Sequence, residues 1–196
     1  MTRTNDEQRR SLDGVLGGGN VGYCSRNKCN IATGKHTFHG PNGLVRGRDS
    51  LIYVPNTVSS GIIEVFSLDE HHILKLVDTI EVPYPVDNLS VDKNGDIFAA
   101  SFPQVYKWVE SSKDPFNVNV PSAIVRIRKA GMQGKKGKER EGVLLHGELG
   151  DWDIKTMLED DGSVVGGASI AVHDVETGRI FTGGAVAPFI SICETR

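Results

Sequence analysis

Short apolar runs separated by Gly, Asn, Asp and Pro recur along this 196-residue chain. Residues 61–68 alternate, with Ile63, Val65 and Ser67 on one face and Ile62, Glu64 and Phe66 on the other. That period of two predicts a strand. A second strand is expected over 73–82, after the polar turn Asp69-Glu70-His71-His72, whose histidines read as a surface pair. Residues 43–46 and 50–55 bracket Gly47-Arg48-Asp49, which predicts a hairpin. Residues 88–91 and 96–101 do the same around Asp92-Lys93-Asn94-Gly95. Shorter extended pieces are expected over 21–24, 30–32, 124–128 and 143–145. Helix is scarce. Residues 6–15 predict one, capped by Asn5 and Asp6 and stopped by Gly17-Gly18-Gly19. A turn of helix is expected over 105–111, after Pro103.

The strand pairs repeat. Asn42-Gly43-Leu44-Val45 with Leu51-Ile52-Tyr53-Val54 aligns with Asn88-Leu89-Ser90-Val91 and Ile97-Phe98-Ala99-Ala100. A looser third copy is Ser169-Ile170-Ala171-Val172 with Arg179-Ile180-Phe181-Thr182, turned by Glu176-Thr177-Gly178. The first two asparagines are 46 positions apart (88 minus 42). A four-stranded repeat of about 40–50 residues is the signature of a β-propeller blade. The expected class is therefore all-β: about three four-stranded antiparallel blades over residues 21–196, behind a helical or loop segment at 1–20. A closed ring takes at least about four blades. An arc of three leaves two apolar faces bare, which favours self-association through its open edges.

Charge narrows the partners. The net charge of −3 gives no case for a nucleic-acid binder. Residues 129–141, rich in Lys and Gly but carrying Glu139 and Glu141, read as a solvated loop. No run of about 18 apolar residues predicts a membrane span. The polar start of the chain lacks the apolar core of an export signal, which reads as cytoplasmic. Cys24 and Cys29 are spaced for a small-loop disulfide, or stand as free thiols; with Cys193 the count is odd, which leaves at least one thiol unpaired or paired outside the chain.

The candidate chemistry lies where the repeats begin. Asn42, Asp87 and Asn88 stand just before the first strands of their blades. In a propeller these strands line the central channel, so oxygen-bearing side chains there converge from different blades. Calcium accepts carboxylate and amide oxygens alike and takes about six to eight of them. Asn and Asp are also common turn formers, and spacing alone leaves both readings open.

Several stretches go further. Gly40-Pro41-Asn42-Gly43-Leu44, Val86-Asp87-Asn88-Leu89-Ser90-Val91-Asp92, residues 121–127 and residues 159–169 resemble the paraoxonase/arylesterase family, and the ending through Cys193-Glu194 is similar too. Tyr23-Cys24 with Cys29 is closest to fungal-type members. The resemblance implies a six-bladed propeller and calcium-dependent hydrolysis of small esters or lactones, often in secreted proteins. It places Asn42, Asp87 and Asn88 on calcium ligands, Asp6 on an acidic residue near the pocket, and Phe102 where some relatives have a pocket histidine. His39, in His39-Gly40-Pro41-Asn42, is the histidine nearest the channel and the other catalytic candidate with Asp6. Glu7 stands where relatives usually have histidine. Further ligands and a histidine pair sit on early blades in relatives and have no counterpart here, so activity is expected to be impaired. The implied partner of Cys193 is also missing, which makes it a free thiol if Cys24 and Cys29 pair. The rival readings are a non-catalytic propeller fragment acting as an interaction module, and a gluconolactonase-like lactonase with one divalent metal.

Overall fold

The structure, a computed structural model, describes residues 17–58, 61–130, 143–147, 150–185, 187 and 189–195. The helix expected over 6–15, Asp6 with it, and the charged loop from residue 131 on lie outside these residues.

A hairpin opens the described chain: β1 (Gly22–Cys24) pairs with β2 (Cys29–Ile31). Cys24 and Cys29 face each other across it and form a disulfide, leaving Cys193 as a half-buried free thiol. Four strands follow in simple succession, β3 (Val45–Arg46), β4 (Ile52–Asn56), β5 (Ile62–Leu68) and β6 (Leu74–Glu81), and make the first large sheet. Next come β7 (Val86–Val91), β8 (Ile97–Ser101), helix α1 (Val105–Ser111), β9 (Ser122–Lys129), β10 (Val143–Gly147) and β11 (Gly150–Asp160). Their spatial order is β7-β8-β9-β11-β10. A third sheet holds β12 (Ile170–Asp174), β13 (Arg179–Gly183) and β14 (Ser191–Glu194). Every pairing is antiparallel.

The protein is thus all-β with one short helix among the described residues. The expectation of equal four-stranded units is corrected: among the described residues the sheets hold four, five and three strands, besides the two-stranded hairpin. The extra strand is β11, which the sequence reading did not anticipate. Its apolar Trp152 and Ile154 alternate with Asp151, Asp153 and Lys155, so the strand buries one face only.

Burial joins the sheets into a stack. Tyr53, Ile63, Val65 and Ile80 of the first sheet meet Val86, Leu89, Ile97, Val125 and Trp152 of the second. Trp152 is buried and its indole N–H donates to Asp78 Oδ2 at 3.0 Å, which satisfies both groups. On the other side of the second sheet, Phe98, Ala100 and Ile124 pack on Ala171 and Ile180 of the third. Burying an aliphatic or aromatic side chain of this size stabilises by roughly 1.5–3 kcal/mol, so these two seams hold the sheets together.

The two ends of the stack differ. At the first sheet the chain from Val21 to Phe38 folds back, and Ala32 and Phe38 pack on Val54, Phe66 and Leu74. His36 reaches Glu64 at 3.0 Å and Tyr23 stacks on His72. One of the two faces expected to be bare is therefore covered by the chain itself. At the third sheet Val172, Phe181 and Ile192 pair across three strands in one row and remain 50%, 37% and 62% exposed.

Candidate functional site

The first strand of each large sheet is β3, β7 or β12, and these three lie together with β7 in the middle. Main-chain bonds tie their N-terminal ends. The Leu89 N–H donates to the Gly43 carbonyl at 3.2 Å, and the Asn88 N–H donates to the Ser169 carbonyl at 3.2 Å. Ser90 Oγ donates to the Ala171 carbonyl at 2.5 Å, one step further along. Positions that align in the three repeats, 42, 88 and 169, thus sit around one point.

The start of β7 is irregular. Val86 pairs with Ser101, but the next pair is Leu89 with Ala99, so Asp87 and Asn88 together oppose Ala100. This is a β-bulge, a device that re-aims side chains and is common beside functional sites. In a regular strand two consecutive side chains would point to opposite faces.

Asp87 is buried, at 6% exposure, and among the described residues no hydrogen bond reaches its carboxylate. Burial alone pushes its carboxyl up from the ordinary aspartate value to about 6. Asn88 is half-buried and its Nδ2 donates to the Ser169 carbonyl at 2.7 Å. That fixes the amide and leaves Oδ1 as its open acceptor. The same amide rests against Gly43: a Cβ placed on Gly43 would stand 1.9 Å from Asn88 Oδ1.

Asn42 is exposed, and its Oδ1 accepts the Gly43 N–H at 2.9 Å. Its backbone shares the loop that touches Asn88, while its oxygen here serves its own turn. His39 is exposed in the same loop, and its main-chain N–H donates to Asn56 Oδ1 at 3.1 Å. Phe102 is 2% exposed; its N–H donates to the Pro85 carbonyl at 2.9 Å and its ring packs on Trp108 of α1. It braces the helix behind β7 and presents little surface to solvent. Beyond Gly167, two residues before Ser169, opens a cleft of about 130 Å³ lined by Phe116, Asn119, Val120 and Phe189 among others.

Ser169 and Gly43 escaped the list of candidates. The signal for Ser169 was its alignment with Asn42 and Asn88. Gly43 follows Asn42 in an Asn-Gly pair typical of turns, yet it does not take a left-handed φ, so its bare Cα answers to space.

The oxygen-bearing side chains carried by the segments that meet here are one carboxylate, Asp87, and two amides, Asn42 and Asn88. Among the described residues no three His, Cys, Asp or Glu side chains converge to hold a metal. A carboxylate without a hydrogen bond among the described residues, on a residue 6% exposed and in one bulge with an amide whose oxygen is open, is chemistry that suits a hard cation of modest ligand charge.

The arylesterase family model matches residues 12–139, well over half of the chain. The chain belongs to the arylesterase family. No curated protein matches it. The matched stretch carries Asn42, Asp87, Asn88 and Phe102 and ends before Ser169. Membership supports a hydrolase acting on a small-molecule ester at family level. Among the described residues no helix is long and apolar enough to cross a membrane.

Proposed function

We propose that this arylesterase-family chain is a calcium-dependent hydrolase of small esters or lactones, built as an arc of a six-bladed propeller, with its metal held by Asp87, Asn88 and Asn42. The observation that carries the reading is Asp87, a residue 6% exposed whose carboxylate has no hydrogen bond among the described residues, in the same bulge as Asn88, whose amide leaves Oδ1 open. A buried carboxylate left without partner or cation is costly, and a cation at the junction of β3, β7 and β12 removes that cost. Bound there, calcium would act as a Lewis acid toward the ester or lactone carbonyl.

The chain's own residues set the terms. The bulge sets Asp87 and Asn88 together opposite Ala100, and the Ser169 carbonyl holds the Asn88 amide in place. Asn42 would join by turning its Oδ1 off the Gly43 N–H. His39, in the same loop as Asn42, is the candidate in this reading for exchanging a proton with water or leaving group, with Asp6 as the acidic candidate. The cleft beside Gly167 takes the remainder of the substrate. Three side chains with at most four oxygens fall short of the roughly six to eight that calcium uses, so this set alone binds it weakly and supports only slow turnover. The bare row Val172–Phe181–Ile192 supports self-association as part of the same reading.

Hydrolysis of phenyl acetate and of a simple lactone tests it. The expected result is slow turnover that calcium supports, a chelator stops and Asp87→Ala abolishes. Turnover that survives in chelator or in Asp87→Ala ends the proposal.

A further inference from the structure

Glycine at position 43 has two possible reasons, conformation or room. Conformation fails: Gly43 lacks the left-handed φ that Gly40 shows three residues earlier, at 67°. Room remains. A Cβ there would meet Asn88 Oδ1 at 1.9 Å, Asn88 Cγ at 2.7 Å and Asn88 Cβ at 2.9 Å. Its three nearest neighbours all belong to one side chain, that of Asn88. On its other side the same amide is held by Nδ2 to the Ser169 carbonyl at 2.7 Å. The backbone of both partners is fixed as well, through Leu89 N–H to Gly43 O and Asn88 N–H to Ser169 O, each at 3.2 Å.

We infer that Gly43 and Ser169 are positioning residues that grip the Asn88 amide between the first and third sheets and thereby fix where its oxygen points. Gly43 acts by having no side chain, and Ser169 acts through its carbonyl, which claims Nδ2 and so excludes the flipped amide. The inference rests on the calcium reading above. A side chain at 43 pushes the Asn88 amide off its seat, and the donor set loses one of its few oxygens. Groups that orient metal ligands from behind typically change metal affinity by about 10–100-fold when altered.

Calcium chloride titrated into the full chain by calorimetry, with melting temperature in calcium and in chelator, tests this on the wild type, Gly43→Ala and Gly22→Ala. Gly22 is the control, because a Cβ there meets nothing closer than 3.8 Å. The expected result is calcium binding weakened 10–100-fold in Gly43→Ala. Its melting temperature in chelator should stay near wild type, and Gly22→Ala should leave binding unchanged. If Gly43→Ala does not fold, Gly43→Ala with Asn88→Gly should fold again, since it removes all three clashing atoms. Failure of that rescue overturns the inference. So does a Gly43→Ala protein that binds calcium as the wild type does. A wild type that shows no calcium response at saturation sinks the calcium reading itself, and this inference with it.

Discussion

The Asn88 side-chain amide donates to the Ser169 carbonyl across 2.7 Å, from the second sheet to the third. The two residues are 81 positions apart and occupy the same place in their repeats. That bond makes the start of β7 a junction of three sheets, and it sits one residue from a carboxylate that nothing satisfies among the described residues.

Asp87 makes the metal-free protein pH-sensitive. Its folded value is raised to about 6, above the value of roughly 3.9 that an unfolded aspartate has. The folded state therefore binds the proton more tightly, and this contribution is fully present below about pH 4 and lost as pH rises through about 6. In chelator, the melting temperature should carry a downward component between pH 4 and pH 7. Asp87→Asn should remove that component. A profile unchanged by Asp87→Asn would show that this carboxyl titrates normally in the fold.

The cysteines are already sorted by the structure. The Cys24–Cys29 bridge closes a loop of few residues at an exposed hairpin, so chain entropy limits its worth to about 2 kcal/mol. Denaturant melts of Cys24→Ser against the oxidised wild type check this. Burial, and secondarily Asp160, push the Cys193 thiol up. One thiol per folded chain should react with an aromatic disulfide reagent, slowly, and Cys193→Ser should abolish the reaction. Three reactive thiols would mean that the hairpin is not bridged.

At the far end of β7 lies a carboxylate of the opposite kind. Asp92 is fully buried at its side chain; Oδ1 accepts the Asn94 and Asp96 N–H groups, and Oδ2 meets His173 Nδ1 at 2.8 Å. It ties the second sheet to the third without any chemistry. Asp92→Ala strands those donors and should cost about 3 kcal/mol. It should leave the calcium midpoint of the folded fraction unchanged, a combination read from denaturant melts and calorimetry together.

Legibility in the sequence followed periodicity. The alternation over 62–68 gave the right faces: Ile63 and Val65 enter one seam, while Phe66 and Glu64 turn to the covering segment. The repeat alignment gave the junction. What stayed hidden is what periodicity cannot carry. The bulge at Asp87 and Asn88 is a slip in pairing with β8, and pairing is not written in β7 alone. The cover over the first sheet depends on Phe38, a single aromatic in a polar stretch, finding Val54 and Phe66. Gly43 carried the sequence of a turn and fills the role of a seat.

The uncovered row on the third sheet predicts association. Phe181→Lys places a charge in the middle of the apolar row and Ile192→Lys one at its end, and each should lower the average mass seen by light scattering at high concentration, with little change in melting temperature. A wild type that stays monomeric throughout would show that this face is tolerated bare.

The most direct test of the metal site is a thermal melt of the full chain with saturating calcium, with chelator, and with each in Asp87→Ala. The account predicts a rise in melting temperature on calcium that Asp87→Ala eliminates, with Asp87→Ala in chelator at least as stable as the wild type because a buried unpaired charge is gone. Equal calcium shifts in the two proteins would contradict it.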